Sequence, residues 1–93
     1  MLTHDKIVEA VQKAAKKFPL VKADYFGSYA DGNATEDSDL DLLVEYENIP
    51  ISILTTIKLK HFLEDELVKP VDVIEMPLPL GAIIEIGNTV SIL

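Results

Sequence analysis

The segment Ser38 to Tyr46 reads Ser-Asp-Leu-Asp-Leu-Leu-Val-Glu-Tyr and begins by alternating carboxylate with aliphatic side chains. Successive side chains of a strand point to opposite faces, so Asp39 and Asp41 share one face while Leu40, Leu42 and Val44 share the other. A helix would scatter the same residues around its circumference. The stretch therefore predicts a strand that buries its aliphatic side and presents two carboxylates on the opposite side. Their α-carbons are ~7 Å apart, two residues' rise.

The flanking sequence supplies the layer that must cover the aliphatic side. From Thr3 to Lys17, Ile7, Ala10, Val11, Ala14 and Phe18 recur at helical spacing with lysines on the other sides; Thr3 can cap this helix and Pro19 ends it. Val21 to Phe26 predicts a strand that stops at Gly27-Ser28, followed by a short helical turn and the turn formers Asp31-Gly32-Asn33. Ser52 to Val68 predicts a second helix, with Ile53, Ile57, Leu63 and Leu67 on one broad side interrupted by Lys60 and Glu64. Val71 to Glu75 alternates again, as a third strand between Pro70 and Pro77. Leu80 to Ile86 predicts a last helix stopped at Gly87-Asn88, and the chain finishes with Val90, Ser91, Ile92 and Leu93. The first two strands are joined too briefly for a helical crossover, so the expectation is a two-layer α/β (α+β) fold on a mixed sheet with one face partly open.

Composition narrows the function classes. A chain of 93 residues with 48% apolar side chains is expected to fold as a single domain over 1–93. No cysteine is present, which excludes disulfides, zinc fingers, thiolate nucleophiles and iron–sulfur ligation. The net charge is -8 and every cation is a lysine. Without arginine there is no fork for bidentate phosphate or guanine recognition, so non-specific nucleic-acid binding is not expected. No apolar stretch reads as a signal peptide or membrane span, and a soluble cytoplasmic protein is expected. An acidic chain repels polyphosphate unless divalent cations lie between them. Nucleotide chemistry here therefore requires a metal site.

Glu36, Asp37, Asp39 and Asp41 crowd into six residues, and the Asp39/Asp41 pair suits Mg²⁺, which takes one or two protein carboxylates and leaves room for water and phosphate. If the third strand lies beside the second, Asp72 projects from the same face, as a two-metal site needs. Gly27-Ser28 ends a strand eleven positions before Asp39, where free backbone N–H groups and a hydroxyl can hold phosphate oxygens. Two bland readings stand beside these: a solvated acidic face and an ordinary turn. His4 and His61 are isolated and read as surface residues. Tyr25 and Tyr46 read as packing, which leaves Tyr29 as the tyrosine nearest the phosphate turn.

Gly27-Ser28-Tyr29-Ala30-Asp31-Gly32 followed by Ser38-Asp39-Leu40-Asp41-Leu42-Leu43-Val44 resembles the nucleotidyltransferase signature of the DNA polymerase beta superfamily. Val71-Asp72-Val73-Ile74 resembles the strand that carries its third acid, and the whole chain is similar to the minimal nucleotidyltransferases. The resemblance implies a polymerase-beta-type palm. Asp39, Asp41 and Asp72 would bind Mg²⁺, Asp72 would also help deprotonate the attacking hydroxyl, and Gly27 with Ser28 would hold the triphosphate. It further implies AMP transfer from ATP to a hydroxyl, a tyrosine of a partner protein, by the antitoxin of a HEPN-domain toxin, in a homo- or hetero-oligomer. Asp31 departs from the pattern, standing where many relatives carry arginine; Lys22 and Lys69 are the candidates to compensate. A non-catalytic antitoxin that neutralises its partner by covering it is the alternative.

Overall fold

A computed structural model describes residues 1–76 and 87–93. Helix α1, His4–Ala15, starts where Thr3 Oγ1 accepts from the Lys6 N–H at 3.2 Å, and it buries Ile7, Ala10, Val11 and Ala14 as one stripe. Strand β1, Leu20–Phe26, runs into Gly27 and the single helical turn α2, Ser28–Asp31, which Gly32 closes in the left-handed region. Strand β2 is Leu40–Tyr46, and helix α3, Ile53–Leu67, is capped by Ser52 Oγ accepting from the Leu54 N–H at 3.0 Å. Strand β3, Val71–Met76, and the short strand β4, Thr89–Ser91, complete the described elements.

The sheet order is β3-β2-β1-β4. β1 pairs antiparallel with β2 and β4, whereas β2 and β3 are parallel, so the sheet is mixed as expected. One face buries Ala23, Tyr25, Leu40, Leu42, Val44 and Val71 against Ile7, Val11, Leu59 and Leu63 of α1 and α3. The period-two pattern fixes this arrangement, because a one-residue slip of β2 would put Asp39 and Asp41 into the core. Leu40, Leu42, Leu59 and Leu63 are fully buried, and truncating any of them to alanine is expected to cost about 2–5 kcal/mol.

The structure corrects one part of the helix reading. In α3 the buried residues are Leu59, Leu63 and Leu67, while Ile53 and Ile57 are exposed. Of the four expected residues only Leu63 and Leu67 are buried, and Leu59 joins them, so the expected broad stripe fails over the first turns of the helix. α3 ends at Val68, a β-branched residue at φ 51, where a glycine would be unstrained. The helix expected over Leu80–Ile86 lies outside the described residues. The closing residues form β4, which pairs with Asp24–Phe26 of β1.

Candidate active site

Register assembles the site from three strands. Asp41 lies opposite Phe26 of β1 on one side and opposite Asp72 of β3 on the other. The parallel β2–β3 pairing therefore does what the third-acid reading required, aligning Asp72 with Asp41. Asp41 is half-buried and Asp72 exposed, and Asp39 sits exposed just before β2. Burial lifts the Asp41 carboxyl above the ordinary carboxylate range, reinforced by the Asp72 charge, by a hydrogen bond shared with Asp72 when one of them is protonated, and by Asp39. Among the described residues, no three His, Cys, Asp or Glu side chains are gathered closely enough to form a ready metal cage. The tight unit is thus the Asp41/Asp72 pair, with Asp39 acting on it through charge.

Gly27 brings the turn against this pair. Its φ of 70° and ψ of -147° belong to a region open essentially to glycine alone. A Cβ on Gly27 would collide with Asp41 Oδ2 and stand 3.4 Å from its Cγ. Ser28 follows as the first residue of α2. Of the predicted turn residues, Gly27 therefore meets the acid pair, at Asp41.

The cations do not meet there. Lys69 Nζ donates to the backbone oxygens of Glu36 at 2.7 Å and Ser38 at 2.6 Å, while the Leu40 N–H donates to the Pro70 oxygen at 3.2 Å. These contacts tie the start of β3 to the loop that delivers Asp39. Lys22 is paired in register with Glu45, at the other end of β1 from Phe26. Asp31 accepts from Asn88 Nδ2 at 3.0 Å. Neither lysine offered as a replacement for the missing arginine is at the turn.

Comparison with known proteins decides the family. Residues 4–88 match the nucleotidyltransferase domain family. The chain belongs to that family. Protein adenylyltransferase MntA of Thermococcus cleftensis is 43% identical over 79 residues, covering 80% of this chain and 78% of the relative. A solved structure described as a candidate minimal nucleotidyltransferase is 41% identical, with a TM-score of 0.63, over 73% of this chain and 68% of that one. A toxin–antitoxin crystal structure with AMP-PNP superposes with a TM-score of 0.64 at 23% identity, which shows shared fold alone. It covers 73% of this chain, which spans 56% of the matched one. Among the described residues, no helix of this nucleotidyltransferase is long and apolar enough to cross a membrane.

The donor set fits a hard divalent cation. All three candidate ligands are carboxylates, and a cation offsets both the burial and the Asp72 and Asp39 charges that raise Asp41. The absence of a side chain at Gly27 keeps the space beside Asp41 Oδ2 clear. Sequence reasoning missed three features of this nucleotidyltransferase. The first is the Lys69 clamp. The second is Asp24, a buried carboxylate on the same sheet face whose Oδ1 has no hydrogen-bond partner among the described residues. The third is His4, whose Nδ1 lies 2.8 Å from the buried Tyr25 hydroxyl and so has a structural role after all. Tyr29 packs against the core, its hydroxyl accepting from the Leu2 N–H at 3.5 Å.

Proposed function

We propose that this nucleotidyltransferase moves AMP from ATP onto a tyrosine hydroxyl of a partner protein, and that the partner is a HEPN-domain toxin which it silences. The observation that carries this reading is the Asp41/Asp72 pair under the Gly27 turn. The adenylyltransferase name of the 43% identical relative supports the reaction, and the fold shared with a toxin–antitoxin complex supports the setting. Asp39, Asp41 and Asp72 would hold Mg²⁺. Bound there, the metal supplies charge neutralisation and a lowered pKa at a coordinated hydroxyl. Gly27 and Ser28 hold phosphate oxygens through backbone N–H groups and the serine hydroxyl. The acceptor oxygen attacks the α-phosphorus, the bond to pyrophosphate breaks in line, and the hydroxyl proton passes to the Asp72 carboxylate. Cytoplasmic action follows from this role.

A second reading has its own support. Asp31 and Lys69 are committed to other contacts and Lys22 stands at the far end of β1, so among the described residues the turn lacks the cation that would grip a triphosphate. On this reading the chain neutralises its partner by covering it. Co-expression with the neighbouring gene product, followed by intact mass measurement, separates the two. Adenylyl transfer predicts a partner heavier by one AMP, and no gain with Asp39→Asn plus Asp41→Asn. An unmodified partner that still co-purifies, with the double variant protecting cells equally, rejects transfer.

A further inference from the structure

We infer that the surface formed by the end of β2, the following loop and the first turns of α3 docks a basic amphipathic helix of a partner protein. The inference rests on the reading above, in that the reaction needs a protein acceptor. Ile49, Ile53, Leu54 and Ile57 are 52%, 77%, 59% and 43% exposed. Ile53, Leu54 and Ile57 neighbour one another at helical spacing on the first turns of α3, and Ile49 lies in the loop that leads into them. Beside them lies a hollow of about 270 Å³ in which Ile49, Ile51 and Met76 form apolar walls and Glu45, Glu47 and Glu75 supply the charge. Tyr46 also lines it, its hydroxyl 2.9 Å from Thr56 Oγ1, which pins the end of β2 to α3 and gives the hollow a fixed wall.

The chemistry selects the occupant. Aliphatic side chains at helical spacing fill an apolar groove through residues at i, i+3 and i+4 of an incoming helix, and lysine or arginine on its flanks answers Glu47 and Glu75. A second copy of this chain is disfavoured, because each copy carries a net charge of -8 and would bring like charge to an acidic rim. Lys22 lies opposite Glu45 across the β1–β2 pair, while Lys58 and Lys60 follow the patch in sequence, so Glu47 and Glu75 are the glutamates left for an incoming helix. Tyr46 lies five residues beyond Asp41 on β2, ~17 Å along the strand. A partner held at this end leaves the carboxylate end free to receive its acceptor residue.

The test uses the full chain and a fluorescent amphipathic lysine–leucine helix as probe, read by anisotropy at near-physiological salt. The decisive variant is Ile53→Asp with Ile57→Asp, both at exposed positions, with a circular-dichroism melt to show that it folds. The variant is more acidic, so attraction by charge alone would tighten binding. Docking predicts binding at least ~10-fold weaker. Glu47→Gln with Glu75→Gln should also weaken the probe, and a glutamate–leucine helix should not bind. Unchanged or tighter binding to the Asp variant overturns the inference, as does equal affinity for the acidic helix. Sedimentation that finds a dimer of the parent chain, lost in the Asp variant, overturns it in favour of self-association. Docking as predicted without AMP on any protein leaves the surface standing and removes the transfer reading. AMP on the partner, with docking indifferent to the Asp variant, removes the surface alone.

Discussion

Replacing Gly27 by alanine puts a methyl group where the Asp41 carboxylate already sits. Two costs are separable because a second glycine, Gly32, carries only one of them. Gly32 has φ 78 and ψ 13, and nothing lies within 4 Å of the Cβ it would gain. Gly32→Ala therefore meets the left-handed backbone penalty alone, about 1–2 kcal/mol. Gly27→Ala meets a more restricted backbone region, about 1–3 kcal/mol, and must also push Asp41 Oδ2 aside. For a domain of this size each kcal/mol lowers the melting temperature by roughly 4–8 °C, so both variants should melt earlier. Function should divide them. A carboxylate displaced by about 1 Å can lower a rate by ~10²-fold, so Gly27→Ala should lose nucleotidyl transfer and the rise in melting temperature on adding Mg²⁺. Gly32→Ala should keep both. Thermal melts with and without Mg²⁺, at constant ionic strength, read the result. Equal Mg²⁺ shifts in the two variants would show that Gly27 does not guard the position of Asp41.

Three further outcomes are expected. Val68→Gly should raise stability by about 1–2 kcal/mol, because φ 51 strains a β-branched residue and suits glycine; a calorimetric melt that does not rise contradicts this. The raised Asp41 carboxyl contributes stability that is present below its ordinary value of 3.8 and lost as pH climbs through the folded-state value, since the unfolded chain gives up the proton more readily. Asp72→Asn removes the partner charge, so without metal its advantage over the parent should grow as pH rises through that window, and added Mg²⁺ should reverse it; parallel melting-versus-pH curves would contradict the coupling. Lys69→Met should weaken Mg²⁺ binding by freeing the loop that carries Asp39, with Lys69→Arg partly restoring it; an unchanged Mg²⁺ titration counts against the clamp.

What could be read from the chain had a local period. β2 and α1 stood out because Leu40, Leu42 and Val44 alternate and Ile7, Ala10, Val11 and Ala14 recur at helical spacing. α3 was half legible, since its apolar residues serve a buried stripe at Leu59, Leu63 and Leu67 and an exposed patch around Ile53, and composition does not distinguish the two. β4 spans three residues, too few to show an alternation. At the site, strand geometry put Asp39 beside Asp41 although β2 begins only at Leu40, whereas the alignment of Asp72 with Asp41 depended on a parallel register fixed by α3 and the turn at Val68. The Lys69 clamp spans 31 and 33 positions to backbone oxygens, which every residue possesses, so no residue type signals it. The sequence offers Gly27 as part of a phosphate-holding turn; its contact with Asp41 emerges only when the turn folds back beside β2.

The proposed function has Asp41 and Asp72 serve transfer at the α-phosphate of ATP. The most direct measurement supplies the chain and its co-expressed partner with Mg²⁺ and ATP labelled at the α-phosphate, and compares label bound to protein with pyrophosphate released. The account predicts one pyrophosphate for each AMP attached, and the loss of both with Asp41→Asn or Asp72→Asn. Release of inorganic phosphate alone, or labelling that survives in both variants, would contradict it.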